Sequence, residues 1–343
     1  MILSTRGSTE RVEREAVVTV EDGGEINERC ARKFEVRVPA STSNLGAGFD
    51  CFGLALQLYL TVRATVLKGA SEPCRVRSRG EGKQEDGALP RATDNLIFRA
   101  MRLAADRESL SLPPVRLAVH NEVPLGRGLG SSAAAIIAGL TLFSFVCDRE
   151  LTDDTVLRYA LEMEGHADNI AAALHGGWVV TCVKSDGNVL AVKRHWPPEI
   201  KVIVVSPHTS LKTTLARSAL PHTVEREDAV HNLQRAALFG AALGTGAYDL
   251  LWEAMQDRLH QVHRQPFVSG LAEALATPRQ PGLIGLALSG SGPSVIALAC
   301  DHFVEIGETI ADSFRRCGTE TTVRLLEVDN DGRKMKRLKR KAL

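Results

Sequence analysis

The run Pro124, Leu125, Gly126, Arg127, Gly128, Leu129, Gly130, Ser131, Ser132, Ala133, Ala134 has the composition of an anion-binding loop. Its glycines let successive backbone N–H groups turn towards one centre without Cβ obstruction, which builds a nest for negative charge. The run opens straight into an apolar, alanine-rich stretch that reads as a helix. The unpaired N–H groups and positive dipole end of that helix add to the same field. Ser131 and Ser132 bring hydroxyls that reach a phosphate oxygen or a metal ion, so the chemistry is phosphate binding. A plain strand-to-helix turn needs only one or two glycines. The spacing is neither G-x-x-x-x-G-K-[ST] nor G-x-G-x-x-G, which sets aside the P-loop and dinucleotide folds.

The elements around the loop must hold it still. VRLAVHNEV in front of it reads as a strand, and PLGRGLGSSAAAIIAGLTLFSF runs on as a helix. Further forward, FEVRVP and LALQLYLTVRATV are strand-like runs separated by a Gly/Asn/Ser-rich turn, a hairpin-like opening. Residues 69–92, rich in Gly, Arg and Glu, read as an irregular excursion, and Asn95 to Ala105 as a helix. Another helix is expected from Asp153 to Glu164, closed by Gly165, followed by WVVTCV as a buried strand. In the second half KVIVVSP is a strand, with helices expected around 226–243 and 248–260. LIGLALSGSGPSVIALAC gives two strands joined by a Gly/Ser turn, then a helix near 303–316 and a last strand, TTVRLLEV. Strands and helices mix throughout, in an α+β order.

With 343 residues, 44% hydrophobic and 24% charged, the chain can bury one large or two medium cores. A formal net charge of +1 gives no overall field for nucleic acid or an acidic membrane, and no basic face or aromatic interleaving stands out beyond the ending GRKMKRLKRKAL. Cys30, Cys51, Cys74, Cys147, Cys182, Cys300 and Cys317 are odd in number and scattered, which reads as reduced thiols. The opening residues lack the apolar h-region of a secretory signal, and no apolar run reaches the roughly 20 residues that span a bilayer. A cytoplasmic location, with no membrane and no nucleic-acid partner, is the expectation. The oligomeric state is left open, a homodimer included.

PLGRGLGSSAA resembles the phosphate-binding loop of the galactokinase, homoserine kinase, mevalonate kinase and phosphomevalonate kinase (GHMP) superfamily. PASTSNLGAGFD, residues 39–50, is similar to that family's first motif, and LSGSGPS, residues 288–294, to its third. EGHADNIAAALHGG, residues 164–177, resembles the pattern of the homoserine kinase branch, E-G-H-x-D-N-x-A-x-x-x-x-G-G. The resemblance spans residues 34–328. It implies ATP as phosphate donor, Mg2+, L-homoserine as acceptor, and a two-domain α+β fold. The first domain, 34–195, would be ribosomal S5 domain 2-like and the second, 196–328, ferredoxin-like, flanked by a flexible leader, 1–33, and a basic tail, 329–343.

Carried over by position, the resemblance places Asn44, Asp50, His166, Asp168, Asn169 and Gly290 at the acceptor. KTTLARSALP adds Thr213 and Arg217, and DRLHQVHRQP adds Arg264. Two guanidinium groups suit an α-carboxylate, since each offers planar paired donors, and Asp50 suits an α-ammonium. Asn44 and Asn169 are expected on the hydroxyl. Glu164 with Ser131 or Ser132 is the candidate metal set, Glu162 being the alternative carboxylate. Asp168, Asn169 and Glu164 are the expected catalytic residues, acting by positioning more than by proton abstraction. Asn95, in TDN, is read either at the adenine or as a helix cap. Rival readings are a kinase of the same superfamily for L-threonine or shikimate, a non-catalytic nucleotide-binding regulator, or a nucleic-acid binder using the basic tail.

Overall fold

The computed structural model describes residues 32–81, 92–211 and 213–338; the leader apart from Arg32 and Lys33, Cys30, and the last five residues lie outside it. In chain order the first part holds β1 (Lys33–Ser43), β2 (Phe52–Val66), β3 (Cys74–Gly80), α1 (Leu96–Arg107), β4 (Val115–Asn121), α2 (Ser131–Val146), α3 (Asp153–Glu164), α4 (Asp168–His175), β5 (Trp178–Val183) and β6 (Val189–Arg194). The second holds β7 (Lys201–Pro207), α5 (Thr213–Ser218), α6 (Arg226–Thr245), α7 (Leu251–Ala254), α8 (Gln261–Arg264), α9 (Leu271–Leu275), β8 (Leu283–Leu288), β9 (Val295–Ala299), α10 (Phe303–Arg316) and β10 (Thr321–Leu326). A last strand, β11 (Lys334–Arg337), returns to the first sheet.

Two sheets result, ordered β11-β1-β2-β4-β3 with the β5–β6 hairpin on β2, and β10-β7-β9-β8. The alternation in β1 and β2 turns Val36, Val38, Val62 and Ala64 onto one face, where they meet Phe98, Met101, Ile137, Phe143 and Ile170 of the helices. Helix α2 is apolar almost all round and its middle is fully buried, as a helix inside a layer must be. β7 is apolar on both sides because both are covered. Ile203 and Val205 face Ile306, Ile310 and Phe314, while Val202 and Val204 join a core shared with the first sheet. That shared core contains the mutually packed rings of Phe52, Trp178 and Phe239, with centroids 5.1–5.4 Å apart. It fixes one sheet against the other, and the phosphate loop lies where they meet.

Three sequence expectations are corrected. Within 69–92, Cys74–Gly80 is a strand parallel to β4; Cys74 and Val76 point inward while Arg75, Arg77 and Arg79 point out, and the charges hid the two-residue period. The segment 248–260 is helical only as far as Ala254, a 3-10 turn at Tyr248–Leu250 leading into α7, because the Asp257 carboxylate accepts the N–H groups of Leu259, His260 and Gln261 and diverts the backbone into a turn. The basic ending is not a tail throughout: Lys334–Arg337 pairs antiparallel with β1, Phe34 opposite Arg337 and Arg37 opposite Lys334. Lysine and arginine are compatible with such an edge strand. The same registers gather Arg37, Arg63, Arg77 and Arg79 on the outer sheet face, a basic face dispersed over three strands in the linear sequence. All six described cysteines are free thiols, and no helix among the described residues is long and apolar enough to cross a membrane.

Candidate active site

The phosphate loop takes the left-handed conformations that its glycines permit, with φ of 64° at Gly126, 74° at Gly128 and 65° at Gly130. Gly130 begins α2, and no side chain caps that helix, so its first N–H groups are open to an anion. The loop is clamped by both neighbouring motifs. Leu129 O accepts from Ser41 N at 3.2 Å, Gly128 O from Ser289 Oγ at 2.7 Å, and Arg127 O from Ser294 N at 3.3 Å. Arg127 also has a buried Nη1 without a hydrogen-bond partner, a donor no protein group uses. A Cβ on Gly128 would lie 2.1 Å from the backbone oxygen of Ser289. Gly128→Ala is therefore expected to lower kcat/KM for ATP by about 10²-fold or more, since a displacement of about 1 Å in a positioning element has that effect. Steady-state kinetics at saturating acceptor check it.

Facing the loop is the turn between α3 and α4. Gly165, at φ 83°, ends α3 and leaves Glu164 at the mouth of α2, where its Oε2 accepts from Ser132 Oγ at 2.6 Å. Glu162 points elsewhere and pairs with Arg107. Asp168 is buried, and its Oδ1 accepts from Asn169 N at 2.6 Å and from His166 Nδ1 at 3.1 Å. The Asn169 amide is braced by the first motif: its Oδ1 accepts from Ser41 Oγ and its Nδ2 donates to Ser43 Oγ, both at 2.8 Å.

Burial opposes protonation of His166, but the hydrogen bond and charge of Asp168, with Glu164 beyond, outweigh it and lift its pKa above 6.5. Protonated His166 is then a stabilising partner. Its contribution is complete below the unfolded pKa and fades as pH rises through the folded one. The Tm difference between wild type and His166→Gln is expected to shrink between about pH 5.5 and about pH 8.5. Thermal unfolding at matched ionic strength reads it, and a gap that widens with pH contradicts the pairing.

The third wall carries charge. Arg217, on α5, forms a two-bond ion pair with Asp50, at 2.9 and 3.1 Å. Arg264, at the end of α8, is only 2% exposed, yet its guanidinium meets neutral groups: Gly290 O and His260 Nδ1 at 3.0 Å, and Ala216 O at 3.3 Å. Burial first, then the neighbouring Arg217, pushes its pKa down to about 10, so it stays charged at neutral pH. Asn44 sits at φ 70°, accepts from Asp50 N and donates to Gly290 O, both at 3.0 Å. In this structure both ends of the Asn44 amide, like those of Asn169, brace the backbone and neighbouring hydroxyls. Thr213 Oγ1 lies 3.4 Å from Ser291 Oγ.

One cleft thus brings together the loop from Gly126 to Ser132, Pro124, Glu164, His166, Asp168, Asn169, Asn44, Asp50, Thr213, Arg217, Arg264 and Gly290. Leu125, Ala133, Ala134 and Asn95 do not line it. Ala133 and Ala134 are core residues under the loop, and Asn95 is the N-cap of α1, accepting from Ile97 N at 3.0 Å. Ser43 and Ser291 line the cleft without having been picked out; the consecutive hydroxyls of STS at 41–43 were the available signal for Ser43, and the serines of SGS at 289–291 for Ser291.

The family of GHMP kinases N terminal domains matches residues 95–177, which contain the loop, Glu164 and Asn169. The homoserine kinase of Deinococcus radiodurans is 45% identical over 272 residues, covering 79% of this chain and 85% of that protein. The chain belongs to the homoserine kinase family. A second homoserine kinase, from Moorella thermoacetica, is 37% identical over 87% of this chain and 98% of its own length. The solved homoserine kinase of Cytophaga hutchinsonii superposes with a TM-score of 0.77 at 25% identity, covering 92% of this chain and 100% of that one. As a homoserine kinase family member the chain is an ATP-dependent phosphotransferase, and its two-sheet α+β fold is the GHMP kinase fold.

Proposed function

We propose that the chain transfers the γ-phosphate of ATP to the side-chain hydroxyl of L-homoserine, giving O-phospho-L-homoserine for threonine biosynthesis. The observation that carries this reading is the buried Arg264, charged but held only by neutral groups, beside the Asp50–Arg217 pair and across the cleft from the phosphate loop. A zwitterion exchanges partners there at little cost: its carboxylate takes Arg264 and Arg217, and its ammonium takes Asp50. That grip leaves the side-chain hydroxyl directed to the loop. Residues 34–195 with the returning strand form the proposed ATP-binding domain, and 196–328 supply Thr213, Arg217 and Arg264.

Phosphoryl transfer needs in-line placement and neutralisation of charge on the γ-phosphoryl oxygens. The loop amides and α2 supply fixed dipoles. Glu164 and Ser132, hard oxygen donors already in contact, fit a Mg2+ ion completed by phosphate oxygens and water, and the ion would neutralise phosphate charge. His166 and the Asn169 N–H hold the Asp168 carboxylate in place, and we assign Asp168 to orienting the acceptor hydroxyl. The test is ADP release from Mg-ATP with L-homoserine, L-threonine, L-serine, shikimate, mevalonate and galactose. Clear preference for L-homoserine supports the reading; preference for another alcohol retains the kinase and discards the acceptor.

A further inference from the structure

We infer that His260 is a positioning residue that sets the acceptor-carboxylate grip, through a fixed neutral tautomer that joins Arg264 to the turn carrying Asp50. The inference rests on the proposed amino-acid reading of the cleft and names a residue outside its lining. His260 is fully buried at the start of α8. Its Nε2 is 2.9 Å from Gly46 O, and a carbonyl only accepts, so Nε2 carries the hydrogen. Nδ1 is then a lone pair, 3.0 Å from Arg264 Nη1, and guanidinium only donates. The two bonds therefore specify the same neutral form. Burial also disfavours the charged ring, in agreement with that geometry.

The ring itself is held from two sides. Asp257, with a fully buried side chain, accepts from Leu259 N, His260 N and Gln261 N, and from Asn232 Nδ2 at 2.7 Å, which fixes the backbone that carries the imidazole. Phe49 stacks on the imidazole, centroids 5.2 Å apart and 23° between planes, and Arg264 Cζ lies 5.6 Å from the same phenyl ring. Phe49 immediately precedes Asp50. The imidazole thus spans both halves of the ionic grip, aiming the guanidinium with one nitrogen and tethering the 46–50 turn with the other. A carboxylate partner for Arg264 would hold it more strongly but would compete with the acceptor; a neutral imidazole aims the cation and leaves its charge for the ligand.

Three variants separate this role from simple packing. His260→Phe retains the stack and loses both bonds; His260→Gln can restore the donor to Gly46 only; His260→Asn places an oxygen at Nδ1 and restores the acceptor for Arg264 only. The expected result is a KM for L-homoserine raised about 10- to 100-fold in the Phe and Gln variants, the effect of stranding one buried charged donor. KM for ATP and kcat should stay within about threefold, as for lost uniform binding of one substrate. His260→Asn should return KM to within about fivefold of wild type. Variants with wild-type Tm and unchanged KM for the amino acid overturn the inference, as does an equal rise in KM for ATP, or Asn no better than Phe. Should His260→Phe fail to fold, the Gln and Asn pair decides. Calorimetric binding of L-homoserine reads the same contrast without turnover. If wild type prefers another carboxylate-bearing alcohol, only the acceptor reading fails, and the contrast is measured with that substrate.

Discussion

In Arg264→Ala, KM for L-homoserine is expected to rise about 30- to 10³-fold, about 2 to 4 kcal/mol, as for truncating one partner of a buried charge pair. KM for ATP should change by less than about threefold, because the change removes binding of one substrate only. Arg264 is buried, carries charge at neutral pH, and has no carboxylate among its hydrogen-bond partners. Buried charges are ordinarily paired, and the carboxylates nearest Arg264, Asp50, Asp257 and Asp168, act on it without hydrogen-bonding it, so a ligand carboxylate is the bonded partner this guanidinium lacks. Arg264→Lys retains the charge and loses the planar fork, so it should fall between wild type and alanine. Initial-rate kinetics with each substrate varied in turn distinguish these outcomes, and a loss of ATP affinity instead contradicts the carboxylate assignment.

Glu164→Gln is expected to lower kcat by about 10²- to 10³-fold, the several kcal/mol of charge stabilisation that a bound metal supplies. The Mg2+ concentration giving half-maximal rate should also rise. The change keeps the shape of the side chain and its contact with Ser132 while removing the negative charge beside the first turn of α2. Glu162→Gln should leave the Mg2+ dependence as it is, since Glu162 is engaged with Arg107 outside the cleft. If Glu162→Gln shifts that dependence and Glu164→Gln does not, the metal set moves by two residues.

The phosphate loop was legible because its requirements are local: glycines at left-handed positions, and a helix starting at once behind them. Gly165 marked the end of α3 for the same reason. What was missed depends on partners distant in sequence. In β3 every second residue is charged and faces out, so its two-residue period is visible only beside β4. DNIAAALH forms α4 with no side-chain cap to announce its start; its buried face is paid for by β1, β2 and β5. Lys334–Arg337 resembles a solvated terminus until β1 offers its edge. Residue type carried the cleft's chemistry but not its division of labour. Asn44 and Asn169 were expected on the acceptor hydroxyl and are also braces of their own walls, and His260 carries no signal beyond that of a core histidine until its two nitrogens are seen between Gly46 and Arg264.

The measurement that tests the ionic grip most directly compares kcat/KM for L-homoserine, 3-aminopropan-1-ol and 4-hydroxybutyrate, which share the alcohol and lose the carboxylate or the amine. Arg264 with Arg217, and Asp50, predict that each truncation lowers kcat/KM by about 10²-fold or more, since each leaves a charged group of the cleft unpaired. Turnover of 3-aminopropan-1-ol at a rate close to that of L-homoserine would contradict the account, because Arg264 would then be buried for some purpose other than holding the acceptor.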